Sequence, residues 1–473
     1  MRKLYLILLL FGFGLNLFGQ TYSSELLQAA KNGDGEAQFN LALCYHNGYG
    51  ISEDKKQALY WTEQAANNGI AVAQYNAGWY YENGVGTTSN PYTAFRWYKK
   101  AADAGEPSAE LAVGRCYYNG NGIAKDIEEA LKWYKKSAVD GDADGQTALA
   151  FEYLFGINMK PDAFLATYWF RKAAEQNDPV GLYWLGECYE SGVGVDVDEA
   201  EALNNYRKSA EHGFPLAEVA MAKDALRKEF YYTALDWLRK AASKENSDAE
   251  ILLGICYENG WGVTKNFYDA KSHFEKAAQY GDPKGYTNVG RLYADEESSN
   301  FNLPLAFNWY KKAADQDEPQ AQGIISWMYL TGQGANENIP EGLKWLNKAC
   351  ENGDLWALTT GGLLYYEGVD GEVSKDYKKA FRYLSGAYES AELEDEMKAK
   401  VVEALANCYQ FGRGTTKNLA KASELKSVYA QLTGSTMTMS PSTTKQVAPR
   451  RTSKPQKKSK SKTLPSWEDK MKK

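Results

Sequence analysis

The stretch AELAVGRCYYNGNG, from Ala109 to Gly122, sets Ala109, Val113 and Tyr117 at i, i+4 and i+8, one stripe of a helix with about 3.6 residues per turn. Gly120 and Gly122 then allow the positive φ that turns the chain back. A second helix is predicted to close on Trp133, Tyr134, Lys135, Lys136, Ser137 and Ala138. That ending is echoed at Trp97 to Ala102 and at Trp309 to Ala314. Tyr45, Tyr81, Tyr117, Tyr153 and Tyr189 fall 36 residues apart, and after one shortened unit Tyr257, Tyr293, Tyr329 and Tyr365 resume the interval. Such a period marks one supersecondary element per repeat, which cannot bury its own apolar face and must stack on its neighbours. The chain is therefore read as an array, offering a long surface in place of a single deep pocket.

At 473 residues the chain could hold two or three ordinary domains, but the period runs through most of it and favours one elongated solenoid over 21–432. Small residues such as Gly114 and Ala138 are expected to let paired helices approach, with large Trp and Tyr filling the gaps. On that reading Trp133→Ala costs roughly 3 to 5 kcal/mol. Three units depart from the pattern. The one starting at Ala217 has Ala225 where Tyr belongs and is four residues shorter, the one at Gly285 lacks the glycine loop between Ala294 and Pro304, and an acidic insertion around Glu389 to Glu396 precedes the last.

Residues 1–20 stand apart: Arg2 and Lys3, an apolar run from Leu4 to Leu17, then Gly19, the layout of a secretory signal peptide. The run is shorter than the roughly 20 apolar residues a membrane span needs, so an exported, periplasmic or secreted chain without a transmembrane segment in its mature form is expected. Charge is unevenly spread. Residues 433–473 hold eleven Lys or Arg against Glu468 and Asp469, a net of +9, while the body without the two leader cations holds 41 basic and 59 acidic residues, or −18. A tail rich in Ser, Thr, Pro and Lys cannot offset its ordering entropy and is expected to be disordered. It reads as a solubilising spacer, or as a partner for an anionic surface or for the acidic body itself.

Cys44, Cys116, Cys188, Cys256 and Cys408 share one slot, just before the repeat tyrosine, and Cys350 occupies another. Equivalent atoms in separate repeats lie beyond the roughly 7 Å limit on Cα distance for a bridge, so the cysteines are read as small buried hydrophobes. The Gly-x-Gly loops at Gly48, Gly192, Gly260 and Gly332 follow no strand, which argues against a phosphate loop. Asp140, Asp142, Asp144 and Gly145 mimic the start of a calcium loop, but Phe151 stands where the bidentate Glu is needed. His46, His212 and His273 do not cluster, which argues against zinc. His273 sits in the column of Trp97, Trp133, Trp169 and Trp309 and reads as a packing substitute with a satisfied ring nitrogen. No nucleophile or paired-carboxylate constellation stands out. The expectation is a non-catalytic protein with no cofactor, no metal and no nucleic-acid partner.

The repeated Ala, Leu, Tyr and Gly-x-Gly pattern resembles the Sel-one-like repeat family, a relative of the tetratricopeptide solenoids, over roughly Ala29 to Ala430 in eleven units. The resemblance implies an all-α, right-handed α/α superhelical solenoid. Some members pair cysteines within each repeat; this chain lacks the second cysteine of each pair. Positions three, seven and ten of the unit follow i, i+4 and i+7 and so form one face, which in tetratricopeptide-type solenoids lines the concave groove. Read down the stack, this column is varied and rich in aromatics where the packing columns are uniform, and Trp, Tyr and Arg are the common anchors of interfaces. The residues expected to bind a protein or peptide partner there are Phe39, Tyr75, Trp79, Arg115, Tyr118, Phe151, Tyr183, Glu187, Arg291 and Trp327. Leu111 and Thr147 lie in the same column. Two alternatives stand beside this reading: a cell-wall or glycan binder of the envelope, and a β-lactam-binding or hydrolysing enzyme. The missing cysteine pairs and the absent nucleophile argue against the enzyme.

Overall fold

The computed structural model describes residues 21–435 apart from 157 and 370–372. The expected signal peptide, and all but the first three residues of the expected tail, lie outside them. Among the described residues are 23 α-helices and no sheet, only an isolated bridge between Val369 and Val373. After a short first helix (α1, Ser24–Lys31), the helices form eleven antiparallel pairs, as the period predicts. The chain divides into two compact units, Met1–Glu218 and Val219–Lys473.

One pair shows how the sequence builds the rest. Helix α6 (Pro107–Asn119) starts on a proline, whose missing N–H costs nothing in the first turn, and stops at Gly120, which adopts φ 76°. The N–H groups of Gly120 and Asn121 both donate to the carbonyl of Cys116 at 2.9 and 3.0 Å. The N–H of Asp126 donates to the carbonyl of Tyr117 at 2.9 Å, and the Asp126 carboxylate caps α7 (Ile127–Val139). The same bond ties Asp54 to Tyr45, Asn90 to Tyr81, Asp162 to Tyr153 and Asp198 to Tyr189 in the first unit. In the second it ties Asn266 to Tyr257, Asn302 to Tyr293, Asn338 to Tyr329, Asp376 to Tyr365 and Asn418 to Tyr409. The turn thus hangs on the backbone carbonyl of the tyrosine column, while most of its rings are only half-buried.

Packing inside a pair rests on a glycine against a ring. A Cβ on Gly114 would lie 2.6 Å from the Tyr134 ring; Gly78 faces Tyr98 and Gly186 faces Tyr206 in the same way. In the second unit Gly254 faces Phe274 and Gly290 faces Tyr310. This corrects one expectation. The ring after each tryptophan, Tyr98, Tyr134 or Phe170, fills the interior, whereas Trp97, Trp133 and Trp169 are half-buried. Lys100 lies 4.2 Å above the Trp97 ring and Lys99 5.1 Å above that of Trp133.

Neighbouring pairs are held by amide clasps. Gln146 donates to the carbonyl of Ala138, at the end of the preceding helix, and accepts from Gln176 at 2.9 Å. Gln38 does the same with Ala30 and Asn68, and Gln322 with Ala314 and Asn352. Each clasp satisfies a helix-end carbonyl that would otherwise be buried without a donor.

The departures are also visible. The shortened unit turns through Glu229 at φ 61° without a glycine. The acidic insertion extends the first helix of the last pair to 17 residues, Asp395–Phe411. All six cysteines are buried and none is in a disulfide, and burial pushes the thiols of Cys116, Cys256, Cys350 and Cys408 up to about 12. They remain protonated packing groups at neutral pH.

Candidate functional site

Several consecutive first helices of the pairs touch within each unit, so residues of neighbouring repeats come together along them. None of the ten residues expected on that face is fully buried. Two of their column neighbours are: Leu111 is 3% and Thr147 6% exposed, which corrects their placement. Leu111 fills the interior, and the Thr147 hydroxyl donates to Asp178 of the next repeat at 3.2 Å.

In the first unit, Phe39 leans on the alanine cluster of Ala65, Ala66, Ala73 and Ala77. Tyr75 packs 5.5 Å from Tyr98, and Trp79 sets its edge against His46, whose Nδ1 lies 2.6 Å from the Tyr80 hydroxyl. Arg115 is exposed and makes no hydrogen bond or ion pair among the described residues. Tyr118 packs against Tyr134 at 6.2 Å. Phe151 touches Phe170 and Trp184, each at 5.2 Å between ring centroids, and Tyr183 rests on Trp184, Tyr206 and Phe214. Glu187 accepts a hydrogen bond from the Tyr206 hydroxyl at 2.9 Å.

In the second unit, Arg291 donates two bonds to Glu258, at 2.6 and 2.7 Å, and a third to Asn288. Trp327 packs on the cluster of Tyr310, Ile325 and Met328. Arg291 is thus largely consumed by its own fold, unlike Arg115.

Two wall residues escaped the sequence reading. Phe155, 56% exposed, stacks on Phe151 with planes 9° apart and meets the edge of Trp184. Its slot holds Asn47, Asn83 and Asn259 in other repeats, each donating to the carbonyl four residues back. Phe155 gives up that bond and extends an aromatic patch, a signal legible in the aligned units. Trp184 occupies the slot of Asn40 and Asn76 and carries the same signal.

At the start of the helix that carries Phe151 and Phe155 lie Asp142 and Asp144, and Asp178 begins the corresponding helix of the next repeat. Asp142 accepts from the Gly145 N–H and from the Ser108 hydroxyl of the preceding repeat, so it caps a helix (α8, Ala143–Phe155) and clasps two repeats. The Asp144 carboxyl is pushed up to about 6, first by burial and then by the charges of Asp142 and Asp178, with Arg115 opposing. In the Trp column, His273 stacks on Tyr257 and places Nδ1 2.5 Å from the buried Glu250, the satisfied packing role expected of it. No group of three or more His, Cys, Asp or Glu among the described residues is arranged to hold a metal.

A family model described as Sel1 repeat matches eleven segments: 35–70, 71–106, 107–142, 143–178, 179–214, 231–246, 247–282, 283–318, 319–354, 361–390 and 403–425. The fold is similar to the crystal structure of a protective antigen present in uropathogenic Escherichia coli strains displaying an SLR fold. That likeness has a TM-score of 0.56 at 28% identity, covering 89% of this chain and 91% of that one. A Sel1 repeat protein from Oxalobacter formigenes is similar at 27% identity over 73% of this chain and 91% of that one, with a TM-score of 0.39. Among curated proteins, the ERAD-associated E3 ubiquitin-protein ligase component HRD3B of Arabidopsis thaliana is 44% identical over 80 residues, 16% of this chain. The match spans 13% of that relative's length.

Proposed function

The chain belongs to the Sel1 repeat family, and from that membership we propose that it is an exported, non-catalytic scaffold whose first-helix face binds a protein or peptide partner. Sel1 repeat proteins are typically protein-interaction scaffolds and generally non-catalytic adaptors. The observation that carries the choice of face is Phe155. An exposed ring replaces a helix-bonding asparagine and joins Phe151 and Trp184 in a patch that the stacking of repeats does not require. Export rests on residues 1–20 alone, and detection of the chain in the cytoplasm after cell fractionation would contradict it.

The test of the face is a capture experiment from envelope extract with the immobilised chain. Combining Trp79→Ala, Arg115→Ala and Phe155→Ala should abolish capture of the wild-type partner while helical circular dichroism persists; undiminished capture would sink the assignment. A glycan-binding reading uses the same half-exposed rings, Trp79 and Trp184, as stacking faces for sugars. Sedimentation with purified cell wall separates the two.

A further inference from the structure

The face in the first unit contains a carboxylate pair that the fold leaves without a cation. Glu187 and Glu190 lie one turn apart on helix α10 (Pro179–Ser191) and both point at the hydroxyl of Tyr206, which lies 2.9 Å from one and 2.6 Å from the other. A hydroxyl has one proton to give, so at any moment one of the two carboxylates is without that donor. Burial first, and then the bonds to Glu190 and Glu187, hold the Tyr206 hydroxyl far above its ordinary range, so it stays a donor. No Lys or Arg among the described residues lies within ion-pair distance of either carboxylate.

In the second unit a carboxylate on a first helix does have its cation. There Glu258 receives both guanidinium bonds of Arg291, at 2.6 and 2.7 Å. In the fifth repeat Glu187 stands in the slot of Arg291 and Glu190 in that of Glu258, but Arg291 reaches a carboxylate of the preceding repeat, where Leu154 stands before Glu187. One turn before Glu187 on α10 stands Trp184, packed with Phe151 and exposed Phe155. An apolar platform and an uncompensated negative pair therefore adjoin on one helix face.

We infer that the partner docked on this face is a protein segment carrying an apolar side chain for the Phe151, Phe155 and Trp184 platform and, beside it, a lysine or arginine that neutralises Glu187 and Glu190. The inference rests on the docking reading above and adds the charge of the guest. Charge complementarity selects this occupant: an acidic segment would meet like charges, and a purely apolar one would bury two carboxylates without a counter-ion.

The probe is a pair of fluorescein-labelled synthetic peptides of identical length around one central tryptophan, one with lysines and one with glutamates flanking it, titrated with the full chain by anisotropy. The lysine peptide should bind and the glutamate peptide should not. Glu187→Gln with Glu190→Gln, which keeps an acceptor for Tyr206, should weaken the lysine peptide at least ten-fold and flatten its salt dependence. Glu199→Gln with Glu201→Gln, an equal charge change on the exposed neighbouring helix, should leave it within two-fold. Equal weakening by both pairs, or equal binding of both peptides, overturns the inference. If Phe155→Ala abolishes capture of the envelope partner while the Glu187 and Glu190 substitutions do not, the docking reading survives and the basic guest does not.

Discussion

Asp144 stands in the second position of α8, where a negative charge suits the helix N-terminus, yet burial and the carboxylates of Asp142 and Asp178 raise its carboxyl to about 6. A carboxyl raised above the ordinary aspartate range retains its proton in the folded chain where the unfolded chain has lost it. Stability therefore falls as pH rises between about 4 and 6, and the penalty is complete above that window. Asp144→Asn removes the penalty. After subtracting the lost helix-dipole interaction, it should stabilise the protein by about 1 to 2 kcal/mol at pH 8 and give no gain at pH 4, measured by urea denaturation. Trp133 is the opposite case. Its ring is half-buried and its indole nitrogen has no hydrogen-bond partner. Trp133→Ala should accordingly cost about 2 kcal/mol, below the 3 to 5 expected for a fully packed ring, whereas Tyr134→Ala, which empties the space over Gly114, should cost about 3 to 5 kcal/mol.

Turn glycines behave as elements rather than as single residues. Gly120 and Gly122 share nearly the same backbone, φ 76° and 74°, but a Cβ on Gly120 meets nothing nearer than 3.4 Å, while one on Gly122 would lie 2.1 Å from the carbonyl oxygen of Pro91 in the preceding repeat. Gly120→Ala should cost only the left-handed strain of about 1 to 2 kcal/mol. Gly122→Ala adds a clash with fixed backbone and should cost about 2 kcal/mol more, the difference appearing in the urea midpoints. The loop, the helix pairs and the 36-residue interval were legible because each is local: a cap, a stripe, a turn. The choice between Trp133 and Tyr134 for the interior was not. Adjacent aromatics on a helix differ in direction by about 100°, and only the glycine on the facing helix decides which one enters. Phe155 was legible in principle, since it breaks a column of asparagines, but a column read only for its apolar members passes over a substitution in a polar slot.

Within each unit the turn bond and the glycine-against-ring contact recur while the first-helix columns vary, so packing explains the uniform columns and leaves the varied ones to recognition. All ten residues named from the sequence lie on first helices of their unit with at least part of their surface open, although Arg291 is tied to Glu258 and Glu187 shares the Tyr206 hydroxyl with Glu190. That sharing was hidden because it depends on Tyr206, 16 residues beyond Glu190 on the next helix. The most direct test is site-specific photo-cross-linking in living cells, with the photoreactive residue at positions 79, 115, 155 and 187 of the first-helix face, or at 92 and 168 on exposed second-helix positions. Covalent adducts with one and the same protein are expected from the first set and none from the second. Adducts from positions 92 and 168 with none from the first-helix face would contradict docking on that face.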